Sequence, residues 1–288
     1  MAHVRFIEMN APPPNSSRSL QRAQASLADF CDNGESAAQA GKLARNGIRN
    51  AHPLRPIPPP IRVEKGVMKG NSRFISSAQT GPHDDLDGLV RRHLAHPFRK
   101  PILDYNRDAF AQAVAARDVW KPTAPLILDA GCGVGWSTLR IAEAFPDHFV
   151  LGVDQSSDRI GRGKPMELPA NACLIRADLV DFWRLLAEHG VRLARHYNLY
   201  PNPWPKIGHL ARRWHGHAVF PVWRQLGGEL ECRSNWRIYI EEMAQALTLL
   251  SGQPVAAEPW HTDDPITPFE KKYLASGHEL WRCRVSLP

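Results

Sequence analysis

The sequence predicts an α/β fold: a mostly parallel sheet with helices on both faces. Three features carry that prediction. From residue 126 onward, short apolar runs alternate with longer segments of helical period. The run Leu126-Ile127-Leu128 ends at Asp129 and enters Gly131-Cys132-Gly133-Val134-Gly135, directly before a helical stretch opening at Trp136-Ser137-Thr138. Such a turn admits little but glycine, because the chain must take left-handed conformations there. A second run, Phe149-Val150-Leu151-Gly152-Val153, ends in another acid, Asp154. Continuous rather than alternating apolar runs mark strands buried on both faces. This is a Rossmann-like pattern, in which ligands lie outside the carboxyl ends of the strands.

In chain order, residues 1–67 are expected to be a disordered leader. Pro12-Pro13-Pro14 and Pro58-Pro59-Pro60 bracket a stretch poor in large apolar residues, which buries too little surface to offset its ordering entropy. An alternative start at Met68 is also expected, because Glu64-Lys65-Gly66 codons can spell a purine-rich ribosome-binding sequence just upstream. Residues 68–121 read as a helical lead-in. Helices are predicted over 87–96 and over 102–116, the second from the spacing of Ile102, Tyr105, Phe110 and Val114. Arg73, Arg91, Arg92, Arg99 and Lys100 make this region basic, either as a collar at a site mouth or as a solvated face. Pro122 and Pro125 close the connection, and 122–288 is the main domain. Its predicted strands are 126–130, 149–153, 172–176, 197–200, 229–233, 254–258 and 279–285. The helices are 137–145, near 156–164, 180–188 and 236–250, with a long basic helix after a proline-rich turn at 201–205.

The 288 residues suffice for one sizeable core with appendages. A net charge of +7 allows a polyanionic partner without requiring one. Five scattered cysteines without a Cys-x-x-Cys pair argue against zinc and against a disulfide framework. His209, His215 and His217 lack the i, i+4 spacing of a helical metal pair, so no metal is expected. Met1-Ala2-His3-Val4-Arg5 opens no apolar signal region, and no run approaches the ~20 apolar residues of a membrane span. A cytoplasmic protein is the expectation.

Asp129-x-Gly131-x-Gly133-x-Gly135 followed by Asp154 resembles the S-adenosylmethionine site of Rossmann-like methyltransferases; the spacing is not the Gly-x-Gly-x-x-Gly of nicotinamide enzymes. A narrower resemblance comes from four further stretches. These are Tyr200-Pro201-Asn202-Pro203-Trp204-Pro205-Lys206, the His/Arg-rich Lys206–His215, Ser234-Asn235-Trp236-Arg237-Ile238-Tyr239, and Thr267-Pro268-Phe269-Glu270. In that order they resemble the bacterial tRNA (guanine-N7-)-methyltransferase family over roughly residues 100–285. The resemblance implies S-adenosylmethionine as cofactor and tRNA as partner. It implies that Asp129, Gly131, Gly133, Gly135, Asp154, Asp178 and Asn202 bind the cofactor, with Asp154 on the ribose and Asp178 near the adenine. Asn202 also falls at the catalytic loop position, while Lys206, Arg212, Arg213, Asn235, Thr267 and Glu270 fall on substrate-contacting positions.

Two positions depart from the family pattern, which has aspartate where this chain has Asn202 and Asn235. A carboxylate accepts both donors, N1–H and the N2 amino group, on the guanine edge; an amide accepts on one side and donates on the other. N7 needs no general base, since its lone pair is free, so transfer rests on in-line positioning and on stabilising the charge that moves to the ring. Asn202-Pro203-Trp204 also partly matches the Asn-Pro-Pro-Tyr loop of exocyclic-amine methyltransferases. The alternatives are therefore a same-fold enzyme acting on another nucleobase or a small molecule, a non-catalytic RNA-binding paralogue, and a nucleotide-binding oxidoreductase, which the glycine spacing disfavours.

Overall fold

The computed structural model describes residues 70–162 and 167–288; the expected leader 1–67 and the start at Met68 lie outside them. The first two helices are α1 (Leu86–Ala95) and α2 (Asp104–Trp120). The amphipathic spacing of α2 buries Asn106, Ala109, Phe110 and Ala113 on one side. An alternation follows: β1 (Leu126–Ala130), α3 (Trp136–Ala144), β2 (Phe149–Asp154), α4 (Ser157–Arg162), β3 (Ala172–Arg176), α5 (Leu179–Glu188) and β4 (Leu193–Leu199). The rest is α6 (Val222–Leu226), β5 (Gly228–Ser234), α7 (Arg237–Ser251), β6 (Glu258–Trp260), α8 (Pro268–Ala275) and β7 (Leu280–Leu287).

The seven strands form one sheet in the order β3-β2-β1-β4-β5-β7-β6. The first five are parallel; β7 runs antiparallel to β5, and β6 antiparallel to β7. Every residue of β1 and β2 is buried, as expected of central strands covered on both faces. Leu126, Leu128, Phe149 and Leu151 face the larger core, formed with α1, α2, α5, α6 and α7. Their alternates Ile127 and Val150 face a smaller core under α3 and α8. Among the described residues no helix is long and apolar enough to cross a membrane.

Three expectations need correction. The long basic helix is instead two 3₁₀ turns, Ile207–Arg212 and Trp214–Gly216. They are broken at Arg213, whose backbone is extended because its side chain is drawn inward. Gly216 packs so closely on the Leu210 carbonyl that a Cβ would lie 2.2 Å from the oxygen. The strand expected at 254–258 begins only at Glu258, because Val255 N–H donates to Thr248 Oγ1 and stays tied to α7. Strand β4 starts earlier than expected and stops at Leu199, since Tyr200 adopts φ +52° and turns the chain.

Strand order reverses between β1 and β4, so a crevice opens outside their carboxyl ends, where open α/β sheets bind ligands. The glycine turn leaves β1 there, and the proline-rich loop leaves β4 there.

Candidate active site

The glycine turn is built for close approach. Gly131 and Gly133 have φ +80° and +59°, and a Cβ placed on either would meet nothing within 4 Å. The space beside their backbone is open. At Gly135 a Cβ would lie 2.6 Å from Leu174 Cδ1, so that glycine lets α3 pack on β3. Cys132 between them is buried, which pushes its thiol well above the ordinary range, so it is no nucleophile.

Asp129 lies beneath this turn at 0% exposure. Its Oδ2 accepts from the hydroxyls of Ser137 (2.6 Å) and Thr138 (2.7 Å), while Oδ1 has no partner among the described residues. Burial pushes the carboxyl up to about 6, against the two hydroxyl bonds that favour the charged form and with the nearby Asp154 adding to the rise. A buried acceptor beside the open glycine turn has capacity for one further donor.

Asp154 ends β2 and is also buried. It accepts from the backbone N–H of Gly133 (3.0 Å) and of Ser156 (2.8 Å), and Arg159 Nη1 lies 3.2 Å from Oδ2. The acid thus braces the second glycine of the turn. Asp178 caps α5, its Oδ1 accepting from Val180 N–H at 2.8 Å. Asn106 of α2 braces the cap: its Oδ1 accepts from the N–H of Asp178 itself, and its Nδ2 donates to Asp181 in the first turn of α5. Asp178 is therefore fixed at the end of β3 with part of its carboxylate committed.

The second wall comes from β4 and β5. Tyr200 N–H donates to the Arg233 carbonyl at 2.8 Å, clamping the start of the loop to β5. Asn202 and Asn235 each lie two residues beyond that clamp, so the carboxyl ends of two adjacent parallel strands carry them to one edge of the crevice. Asn202 is exposed, and its Oδ1 accepts from Trp204 N–H at 3.3 Å. Trp204 is itself in the left-handed region, at φ +47°. Left-handed backbone at both Tyr200 and Trp204 is costly and persists only where the surroundings hold it, a pattern found at ligand clamps. Lys206 and Arg212 are exposed, and the Arg212 guanidinium sits 4.9 Å from the Trp204 ring.

Three expected substrate contacts face elsewhere. Arg213 is fully buried: it pairs with Glu242 at 2.5 Å, donates to Gln79 Oε1 and Trp204 O, and stacks over Trp236. It cannot reach a phosphate. Glu270 is also fully buried, accepting from Tyr200 Oη, Arg233 Nη1, Trp260 Nε1 and Ile266 N–H. With four donors around it, its carboxylate has no edge left for a base. Thr267 caps α8, its Oγ1 accepting from Glu270 N–H at 2.9 Å. The pair orders the turn into α8, and through Tyr200 it anchors the loop.

Comparison with known proteins fits this geometry. The family model described as "Putative methyltransferase" matches residues 123–283, more than half of the chain. A tRNA (guanine-N(7)-)-methyltransferase of Paracidovorax citrulli (strain AAC00-1) is 33% identical over 198 residues, covering 62% of this chain and 74% of the relative. The chain belongs to the tRNA (guanine-N(7)-)-methyltransferase family. The relative from Nocardioides sp. (strain ATCC BAA-499 / JS614) is 32% identical over 55% of this chain and 66% of its own length. That from Ralstonia pickettii (strain 12J) is 28% identical over 83% and 87%. Among solved structures, the 16S rRNA methyltransferase KamB aligns at TM-score 0.44 and 15% identity over 62% of this chain and 92% of its own.

In this family member the sequence reading overlooked two parts of the site. One is the buried cluster of Glu242, Arg213, His215 and Gln79, which fastens the basic 3₁₀ turns to α7. Burial works to raise the Glu242 carboxyl, but the hydrogen bonds and charges of His215 and Arg213 outweigh it and hold it at about 2. The other is the segment before α1, which runs along the site. Gly70 N–H donates to Ala275 O, Ser77 Oγ donates to Pro205 O, and Gln79 donates to Glu242. Its Phe74 is 70% exposed and stacks on His278, with ring centroids 4.2 Å apart. The only sequence signal was an isolated aromatic in a polar stretch.

Proposed function

We propose that the chain transfers the methyl group of S-adenosylmethionine to N7 of a guanine in tRNA. The observation that carries this reading is one crevice, at the reversal of strand order, flanked by both the glycine turn and the Tyr200–Lys206 loop. The family relatives named as tRNA (guanine-N(7)-)-methyltransferases supply the substrate class. The residues at β1 and β2 fit the cofactor, because the unpartnered Oδ1 of Asp129 suits its ammonium group and the open side of Gly131 and Gly133 suits a ligand against the backbone. When bound, S-adenosylmethionine supplies an electrophilic methyl group on a sulfonium.

In this reading Asp129 holds the ammonium, and Gly131, Gly133 and Gly135 cradle the chain between sulfur and ribose. Asp154 takes the ribose hydroxyls, and Asp178 stands on the adenine side. Asn202 and Asn235 share the reading of the base. The Oδ1 of Asn202 is engaged by Trp204 N–H, so its amide N–H bonds meet an acceptor such as guanine O6. Asn235 meets the adjacent donors. The free lone pair of N7 needs no base, and the residues contribute by alignment. Lys206 and Arg212 are the exposed cations beside the loop and hold the backbone phosphates.

The test is transfer of labelled methyl groups to unmodified tRNA, followed by digestion to nucleosides. Label in 7-methylguanosine is expected. Label in another nucleoside overturns the assignment of N7. Binding of cofactor and tRNA without transfer overturns the enzyme reading in favour of an RNA-binding paralogue.

A further inference from the structure

The two amide-for-acid positions pose a problem that a carboxylate would not. An amide side chain has two orientations, and only one presents an acceptor to the base. At Asn235 the surroundings choose between them. Asn235 Nδ2 lies 3.0 Å from His278 Nδ1, and His278 Nε2 lies 3.2 Å from the Ser72 carbonyl oxygen. A carbonyl only accepts, so Nε2 carries the ring proton. In the neutral ring Nδ1 is then a lone pair and can only accept, so the Asn235 amide nitrogen faces it. The reversed amide would set Oδ1 against a lone pair. Oδ1 is therefore turned away from His278.

The ring that makes this choice is itself well held. His278 is buried at the turn between α8 and β7, its backbone N–H donating to Tyr273 O. Phe74 stacks on it with planes only 11° apart. The carbonyl it reads is fixed by two clips: Gly70 N–H to Ala275 O at 2.9 Å and Ser72 N–H to Ser276 Oγ at 3.1 Å.

We propose that His278 is a positioning residue that locks Asn235 as an acceptor toward the target base, so that an amide does one half of what a carboxylate does. The proposal rests on the methyltransferase reading above. It makes the Ser72 carbonyl, His278 and Asn235 a chain of orientation, with Phe74 as the lid on the ring.

Two measurements on the full chain test it. The first is the imidazole nitrogen spectrum of His278. Protonated Nε2 with an unprotonated Nδ1 is expected, and the opposite tautomer overturns the proposal whether or not the protein transfers methyl groups. The second is a double-mutant cycle on kcat and KM for tRNA methylation. H278A is expected to lower kcat/KM by roughly tenfold or more, the usual cost of a misdirected polar group. H278Q, which can accept from Asn235 and donate to Ser72, is expected to recover most of it. A carboxylate sets an oxygen against the Nδ1 lone pair whichever way it turns, so in an N235D background His278 has no orientation to choose and the cost of H278A is expected to shrink to about twofold or less. An equal cost in both backgrounds means that His278 only supports the fold, and overturns the proposal. Absence of transfer from the wild type refutes the parent reading alone, because the tautomer still reports how Asn235 is held.

Discussion

Asp129→Asn separates what burial costs this protein from what the cofactor gains. The Asp129 carboxyl is raised from 3.8 to about 6 by burial. Between those values the folded chain keeps a proton that the unfolded chain releases. Native stability therefore falls as pH rises through about 4 to about 6 and is level above. At 1.36 kcal/mol per pH unit, the wild type gives up about 3 kcal/mol across that window. D129N is neutral throughout and retains an oxygen for the Ser137 and Thr138 hydroxyls. The stability difference between variant and wild type is expected to move by about 3 kcal/mol in favour of the variant from pH 4 to pH 8. Urea unfolding at several pH values reads this directly. A difference that does not change with pH refutes the assignment of a costly buried charge. Calorimetry on the same proteins should find S-adenosylmethionine binding weakened by about ten- to a hundredfold in D129N, the worth of a charge-assisted hydrogen bond. Undiminished affinity would show that Oδ1 does not hold the ammonium.

Arg212 and Arg213 are neighbours in sequence with opposite expected phenotypes. R213A strands Glu242 in the core and should cost about 3–5 kcal/mol of stability in thermal or urea unfolding. R212A should fold as the wild type but lower the salt dependence of tRNA binding by about one counterion, seen in a titration of affinity against salt. Glu242, held at about 2 against an ordinary 4.5, contributes stability that is present above about pH 4.5 and lost as pH falls toward 2. E242Q should flatten that acid limb of the unfolding profile while lowering stability at neutral pH. T267A removes the cap of α8 and should cost about 1 kcal/mol with KM for tRNA little changed; a large rise in KM would return Thr267 to the base.

The central strands and their two acid-ended turns were legible because their signals are local. A buried apolar run, an acid and spaced glycines need no partner elsewhere to be understood. The parallel sheet followed from alternation, whereas the strand order that opens the crevice is set by tertiary pairing. Arg213 and Glu270 were misjudged for the opposite reason. Their roles are set by Glu242, 29 residues away, and by Tyr200, 70 residues away, and composition cannot tell an exposed cation from one that neutralises a buried acid. The 3₁₀ turns escaped because the basic stretch carries helical residues but is broken by a tertiary pull at Arg213. Phe74 and His278 were missed since neither lies in a periodic segment, and they meet across about two hundred residues.

That last contact has a consequence for how the protein is made. The strand of chain at 70–79 finds its anchors at Pro205, Glu242 and Ala275–His278, all downstream. Synthesis from the ribosome delivers the first half of the sheet early, whereas the orientation of Asn235 awaits the arrival of α8 and the turn after it. Contacts of such long sequence separation form late and slowly. The base-reading edge is therefore the part of the site that depends on the carboxyl-terminal α8 and β7, while the glycine turn depends on strands already made.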